Sequence, residues 1–258
     1  MNGIRPLKAL GQHFLTNLET ASDIAHALSE EARKGLVLEI GPGTGVLTNQ
    51  LLEAGVEDLH CVEVDDRSVD FLKERFPSLQ NRIHQADFLT ADLDFLGDRS
   101  FSVIGNFPYN ISSQILFRVL DMYERVPEVA GMFQKEVAQR IASPPGNRDY
   151  GILSVLLQAH YDIEYMFTVP PEYFNPPPKV DSGVIRMKLR KDHKLECDEV
   201  FFKKVVKTAF NQRRKTMRNS LKSLLPTDYS SIPYLDMRPE QLHFSAFVTL
   251  TNALKPGR

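Results

Sequence analysis

Four consecutive residues, Asn106, Phe107, Pro108 and Tyr109, have the types and order needed for chemistry on an exocyclic amine. They follow the apolar run 101–105, which is typical of a buried strand, and so they lie at the carboxyl edge of a predicted sheet, where open α/β folds bind ligands. The Asn106 amide oxygen and the Phe107 or Pro108 carbonyl could accept both amine hydrogens, while the Tyr109 ring could stack on a flipped base. Because Asn and Pro are common in turns, a tight turn with a core tyrosine is the alternative.

A glycine-rich sequence, EIGPGTG at 39–45, directly follows a predicted strand at 36–40. Glycines at this point let the backbone approach a ligand closely, and the helix predicted from Val46 offers free N–H groups. A second predicted strand, 59–62, ends at Glu63, twenty residues after Gly43. An acid at that position can accept both hydroxyls of a ribose. The alternative is a plain helix-strand connection with a surface glutamate.

Two further residues are weaker candidates. A third predicted strand, 82–86, ends at Asp87, which could accept from the amine of a cofactor adenine or could be a solvated loop residue. The segment 170–178 contains five prolines and is expected to be a rigid linker. It could hold Phe174 as a second stacking wall for a base, or Phe174 could be an ordinary buried anchor.

The chain has 258 residues, a formal charge of -2 and a pI of about 6.4. This average hides a basic segment, 186–222, with thirteen Lys and Arg against four Asp and Glu, a local charge of +9. Its densest cluster, which is the strongest nucleic-acid signal in the chain, contains Arg213, Arg214, Lys215 and Arg218. A solvated helix face is the alternative interpretation.

Two cysteines, Cys61 and Cys197, have no spacing typical of a metal site. We therefore expect a reduced intracellular protein with no metal and no disulfide. The sequence also shows no signal-peptide core and no run of transmembrane length, so no membrane association and a cytoplasmic location are expected.

Periodicity predicts an alternation of strands and helices up to about residue 190, followed by short helices alone. Residues 14–15 are expected in a loop that docks on the body. The predicted helices that matter below span 17–30, 46–54, 112–123, 135–142, 150–161, 200–210, and a last helix that begins near Pro239 and ends near Leu254.

Taken in order, the motifs at 11–15, 39–45, Glu63, Asp87, 106–109, 176–182 and 211–216 resemble the ribosomal RNA adenine dimethyltransferases, specifically the small-subunit family. The resemblance implies an α/β fold, with a Rossmann-like class I methyltransferase sheet flanked by helices over 1–190. It also implies a small all-helical rRNA-binding domain over 191–258. The cofactor implied is S-adenosylmethionine.

By position, the resemblance assigns the cofactor contacts to His13, Leu15, Gly41, Glu63, Asp87 and Asn106. The base would lie between Tyr109 and Phe174, and the basic cluster would hold phosphates. Two departures from the family pattern are His13, where Asn is common, and Phe107, where Leu is common.

The implied reaction is direct in-line methylation of two adjacent adenosines near the 3′ end of small-subunit (16S-type) rRNA, giving N6,N6-dimethyladenosine. The implied partner is that rRNA in a pre-ribosomal particle, with the protein acting as a monomer in ribosome biogenesis. Three alternatives are a resistance-type large-subunit rRNA methyltransferase, a non-catalytic ribosome-assembly factor and a nicotinamide-dependent oxidoreductase. The motif 106–109 disfavours the last of these, because hydride transfer gives it no role.

Overall fold

The computed structural model describes residue 4, residues 6–7 and residues 10–255. The chain forms two compact units. Of the described residues, the larger comprises those up to Ala138 together with Ile163–Leu189, and the smaller comprises Gln139–Asp162 together with those from Arg190 onward. A single cut at residue 190 therefore does not describe the packing.

The inserted segment Gln139–Asp162 belongs to the smaller unit because its polar groups are satisfied there. The Arg213 guanidinium donates to the carbonyl of Arg148 at 2.6 Å and reaches that of Tyr150 at 3.3 Å. The Gly146 N–H donates to the Glu240 carbonyl at 2.7 Å. These bonds link residues far apart in sequence, which periodicity does not reveal.

Nine strands lie within the described residues: β1 Phe14–Leu15, β2 Leu36–Ile40, β3 Asp58–Glu63, β4 Ile83–Gln85, β5 Ser102–Asn106, β6 Glu128–Gln134, β7 Tyr161–Val169, β8 Phe174–Asn175 and β9 Ser182–Leu189. The α-helices are α1 Leu18–Ala27, α2 Glu30–Lys34, α3 Val46–Glu53, α4 Asp66–Arg75, α5 Ser112–Asp121, α6 Lys135–Ala142, α7 Ile152–Gln158, α8 Glu199–Asn211, α9 Met217–Ser220 and α10 Phe244–Leu254.

The main sheet has the strand order β4-β3-β2-β5-β6-β9-β7. The strands β4, β3, β2, β5 and β6 are parallel to one another, and β9 runs antiparallel to β6. Every residue of β2 is buried, as expected for a parallel strand covered on both faces by helices. The predicted fold class, a Rossmann-like α/β sheet flanked by helices, is confirmed.

Helix boundaries differ from the sequence expectation by three or more residues at three places. The predicted helix 17–30 ends at Ala27, and Ser29 caps the separate helix α2 by accepting from the Ala32 N–H at 3.2 Å. The predicted helix 150–161 is shorter, since α7 ends at Gln158 and β7 begins at Tyr161. Pro239–Gln241 is an isolated 3-10 turn, and α10 begins after His243.

A small second sheet pairs β1 with β8, so that Leu15 lies opposite Phe174. Residues 14–15 are therefore a strand and not the expected loop. Both side chains are buried, with 4% of their surface exposed, in the core of the larger unit. This pairing fixes the N-terminal segment beside the proline-rich segment.

In the described part of the smaller unit, the regular elements other than the first residues of β7 are helices, joined by loops and turns. Its core contains the apolar face of α8, with Phe202, Val206 and Phe210 buried, and α8 packs against α7, α9 and α10. The Phe210 ring stacks on that of Phe247 with centroids 6.0 Å apart. Within the described residues of both units, no helix has the length and hydropathy to cross a bilayer.

Candidate active site

A cavity of about 200 Å³ lies in the larger unit, where β2, β3 and β5 end. Its walls come from four places in the sequence: the N-terminal residues 10–14, the glycine loop, the ends of β3 and β4, and the residues after β5. Predicted site residues that line it are His13, Gly41, Glu63, Asp87, Asn106, Phe107, Pro108 and Tyr109. The parallel sheet brings them together because its strands end at one edge.

The glycine loop passes under this cavity in a conformation that needs glycine. Gly41 and Gly43 have φ values of +66° and +56°, in the region that L-residues rarely adopt. A Cβ at Gly43 would also lie 2.8 Å from the Phe14 ring. The loop therefore exposes bare backbone, with Phe14 packed against it.

Glu63 holds the loop with its own carboxylate. One oxygen accepts from the Gly43 N–H at 3.0 Å, and the other accepts from the N–H groups of Val64 and Asp65 at 2.8 and 3.0 Å. Burial raises the pKa of Glu63, although these three N–H donors oppose the shift. A carboxylate offers about four acceptor positions, so about one remains for a ligand hydroxyl.

The N-terminal segment forms a wall that the residue pattern alone did not predict. The Asn106 side-chain NH2 donates to the His13 carbonyl at 2.9 Å. Gln12 donates to Asp65 at 3.1 Å, and the Arg67 guanidinium beside that carboxyl lowers its pKa. Gln12 lies within the motif 11–15, so the motif indicated that this segment is functional, but it did not reveal which residues the segment contacts.

The residues after β5 are held by close packing. The Phe107 side chain is 1% exposed and lies against Gly105 and Gly131, where a Cβ would collide with its ring. The Pro108 carbonyl accepts from the Ile111 N–H at 3.2 Å. Among the described residues, no donor is found for the Phe107 carbonyl or for the Asn106 amide oxygen, so these two acceptors are free.

Tyr109 is anchored at both its ring and its hydroxyl. Its hydroxyl lies 2.5 Å from that of Ser182, and its ring stacks on the His13 ring with centroids 5.5 Å apart. Burial raises the pKa of Tyr109, so its hydroxyl stays protonated at neutral pH. Asp87 is more open, with one oxygen accepting from the Leu89 N–H at 2.9 Å.

Two predicted site residues do not reach the cavity. Leu15 and Phe174 face the apolar core through the β1–β8 pair, and neither lines the walls. The expectation that the Phe174 ring is a free stacking wall is wrong for this structure, because almost none of its surface is open. The alternative of a buried anchor describes it.

The basic cluster lies in the smaller unit, where some of its side chains are engaged by groups of the described residues and others are not. Arg213 is occupied by the carbonyls described above, and Arg218 pairs with Asp236 at 2.9 Å. Arg214 and Lys215 are exposed, and within the described residues neither forms an ion pair. The positive charge open to a polyanion is therefore centred on these two side chains.

Neither cysteine has the environment of a nucleophile. Cys61 is fully buried, and burial holds its pKa well above the usual value. Burial also raises the pKa of Cys197 to about 11. The thiolate forms that attack carbon are thus disfavoured at neutral pH.

Comparison with known proteins places this geometry in a family. Residues 5–240 match the model of the family described as ribosomal RNA adenine dimethylase. A protein of Parabacteroides distasonis named ribosomal RNA small subunit methyltransferase A is 56% identical over 254 residues, which cover 97% of this chain and 94% of the relative. One of the same name from Porphyromonas gingivalis is 54% identical, over 99% of this chain and 100% of the relative.

Solved structures agree at the level of the fold. A dimethyladenosine transferase from Plasmodium falciparum has a TM-score of 0.78 at 22% identity, covering 92% of this chain and 96% of that one. The 23S rRNA methyltransferase ErmE has a TM-score of 0.68 at 27% identity, covering 93% and 99%. The match to the family model and the identity to its relatives, both over nearly the whole chain, show that this protein belongs to the ribosomal RNA adenine dimethylase family.

Proposed function

We propose that this protein transfers methyl groups from S-adenosylmethionine to the N6 amines of two adjacent adenosines near the 3′ end of small-subunit rRNA. The observation that carries the proposal is the orientation of Asn106. Its NH2 group is engaged by the His13 carbonyl, so its amide oxygen is the group left to accept from an amine. The names of relatives above 50% identity favour the small subunit over the large one.

The cavity fits S-adenosylmethionine by the chemistry of its donors and acceptors. The glycine loop allows close backbone approach, Glu63 keeps an acceptor position for a ribose hydroxyl, and Asp87 keeps a free oxygen for an adenine amine. When bound, the cofactor supplies an electrophilic methyl group on a sulfonium. His13 and Gly41 complete the proposed cofactor contacts, since both line the same walls.

The protein's part in the reaction is to raise the nucleophilicity of the target amine. The Asn106 oxygen and the Phe107 carbonyl accept one N–H each, which favours a pyramidal nitrogen whose lone pair is less delocalised into the ring. The Phe107 carbonyl takes this role and not the Pro108 carbonyl, because the latter already accepts from the Ile111 N–H. Tyr109 stacks on the base and fixes its plane. Positioning and polarisation of this kind need no covalent intermediate, which agrees with the raised thiol pKa values.

RNA binding is proposed for the smaller unit. Arg214 and Lys215 contact phosphates directly, and Arg218 joins them once its exposed partner Asp236 yields to a phosphate. Such contacts hold and orient RNA without reading its sequence. We further propose that the substrate is a pre-ribosomal particle, and that the protein acts on it as a monomer in the cytoplasm.

The test is methyl transfer from labelled S-adenosylmethionine to unmethylated small-subunit particles, with mass mapping of the modified nucleosides. Dimethyladenosine at an adjacent pair near the 3′ end is expected. Label in large-subunit rRNA instead would favour the resistance-type activity, and cofactor binding without transfer to either RNA would favour an assembly factor.

The variant Asn106→Ala tests the polarisation step in the same assay. We expect kcat to fall by roughly 100-fold or more, as for removal of other preorganised polar groups, with cofactor binding still measurable by calorimetry. An unchanged kcat would remove the amide oxygen from the mechanism.

A further inference from the structure

We infer that the segment 176–182 positions the base-stacking ring of Tyr109, with Ser182 as its positioning residue; this inference rests on the proposed function. The motif is part of the family resemblance, yet none of its residues lines the cavity. The segment makes two polar contacts with residues that line the cavity. The Ser182 hydroxyl bonds the Tyr109 hydroxyl at 2.5 Å, and the Pro176 carbonyl accepts from His13 Nδ1 at 2.8 Å.

These contacts constrain the Tyr109 ring from two directions. Ser182 holds the far end of the ring through its hydroxyl, while His13, itself held by Pro176, stacks against it at an interplanar angle of 29°. A tyrosine in a loop would otherwise sample several χ1 and χ2 values. With both restraints, the ring keeps one orientation before any base arrives.

Ser182 is itself fixed in the same sheet as Asn106. It is the first residue of β9, where it lies opposite Gln134 of β6, and Asn106 lies opposite Met132 of that same strand. Asn106 on β5 and Ser182 on β9 therefore flank β6 and pair with residues that are two positions apart on it. Two residues along a strand rise about 6.8 Å, so β6 fixes the offset between the two groups along the strand direction.

The surroundings of Ser182 leave its hydroxyl little freedom. Its side chain is completely buried. On one side, Asp181 accepts from Lys135 through both its carbonyl, at 2.9 Å, and its carboxylate, at 3.0 Å. On the other side, Gly183 is packed so tightly that a Cβ would lie 2.8 Å from Ala138 and from the Tyr165 ring.

The test is a double-mutant cycle of Ser182→Ala and Tyr109→Phe. Each single change removes one hydroxyl of the pair and leaves the aromatic ring in place. Since a neutral hydrogen bond is at stake, we expect kcat on small-subunit particles to fall about 3- to 10-fold in each variant, with KM for the particle and cofactor affinity unchanged. The kcat of the double variant should be no lower than that of the less active single variant, because both changes break the same hydrogen bond.

Ser102→Ala is the matched control, because Ser102 is also a buried serine on a strand of this sheet and lies at the opposite end of β5 from Asn106. We expect it to leave kcat unchanged. Additive losses in the cycle, or a Ser182→Ala variant with wild-type kcat, would overturn the positioning role. If Ser182→Ala does not fold, Tyr109→Phe alone decides, since wild-type kcat in that variant also refutes the positioning role of the hydroxyl pair.

Tyr109→Ala separates this inference from the proposed function. Removal of the whole ring should cost far more than removal of its hydroxyl. If Tyr109→Ala lowers kcat strongly and Ser182→Ala does not, the ring stacks on the base but Ser182 does not aim it. If Tyr109→Ala leaves transfer unchanged, the stacking step of the proposed function fails.

Discussion

Gly131 is expected to be as important for catalysis as the residues that face the cavity, because its missing side chain makes room for Phe107. In Gly131→Ala the new methyl would collide with the Phe107 ring and would lie 2.9 Å from the Gly105 carbonyl. The backbone of Gly131 does not have a positive φ, so the cost is steric and not conformational. Overpacking in a sheet core typically costs about 1–3 kcal/mol.

Taking about 2 kcal/mol, the melting temperature should fall by roughly 4–8 °C, by the scaling for chains of about this size. The Phe107 ring is enclosed, with the Phe133 ring 5.0 Å away, so relief requires the 106–109 backbone to shift. A displacement of about 1 Å at a reacting group can cost about 100-fold in rate. We therefore expect kcat to fall about 10- to 100-fold in the particle methylation assay.

A second change should rescue the first. Phe107→Leu is smaller at the point of collision, so the double variant should regain part of both the melting temperature and kcat. Gly35→Ala is the control, because its Cβ would make only an ordinary contact with the Ala32 carbonyl at 3.5 Å. A Gly131→Ala protein with wild-type stability and kcat, or a double variant whose losses simply add, would refute the packing argument.

Three other predictions concern charges and acceptors. Glu63→Ala should weaken cofactor binding by about 1–3 kcal/mol in calorimetry, and an unchanged affinity would remove Glu63 from the ribose site. Replacing Arg214 and Lys215 with Gln should lower the slope of log affinity for rRNA against log salt by roughly 0.7–0.9 for each phosphate that the variant no longer neutralises. The control replaces Lys34 and Lys73 with Gln, and an equal effect there would show that only net charge matters. Burial raises the pKa of Glu39 to about 7, so the folded state keeps a proton that the unfolded state loses above about pH 4.5. The free energy of unfolding should therefore fall between about pH 4.5 and 7, by on the order of 3 kcal/mol. In Glu39→Gln this fall should disappear from urea unfolding curves, and its persistence would contradict the raised pKa.

The strands and helices that carry the site were predictable because local patterns specify them. The apolar run before the glycine loop is the strand β2, the run before Asn106 is β5, and α6 has the predicted bounds 135–142. The family, the enzyme class and S-adenosylmethionine as cofactor, all implied by the motif order, are confirmed by the matches to the family and its relatives.

Other features could not be predicted because their causes are distant in sequence. A two-residue strand such as β1 has no periodicity, and its partner β8 comes about 160 residues later. The position of Phe174 depends on that same pairing, so its type and its rigid neighbours did not reveal that it faces the core. The Arg213 bonds that join the segment 139–162 to the smaller unit have no sequence signature either.

The pairing of β1 with β8 sets an order for the formation of the site during translation. The segment that walls the cofactor cavity leaves the ribosome early, but its partner strand at Phe174–Asn175 and the Pro176 carbonyl that holds His13 are made about 160 residues later. At about 5–20 residues per second, this interval lasts roughly 10–30 s. Asn106 is made 93 residues after His13, so in the later part of this interval the glycine loop, β5 and Asn106 can be in place while the N-terminal wall still lacks β8 and the Pro176 carbonyl. The N-terminal wall of the cofactor cavity is therefore fully held only when nearly the whole larger unit has been synthesised.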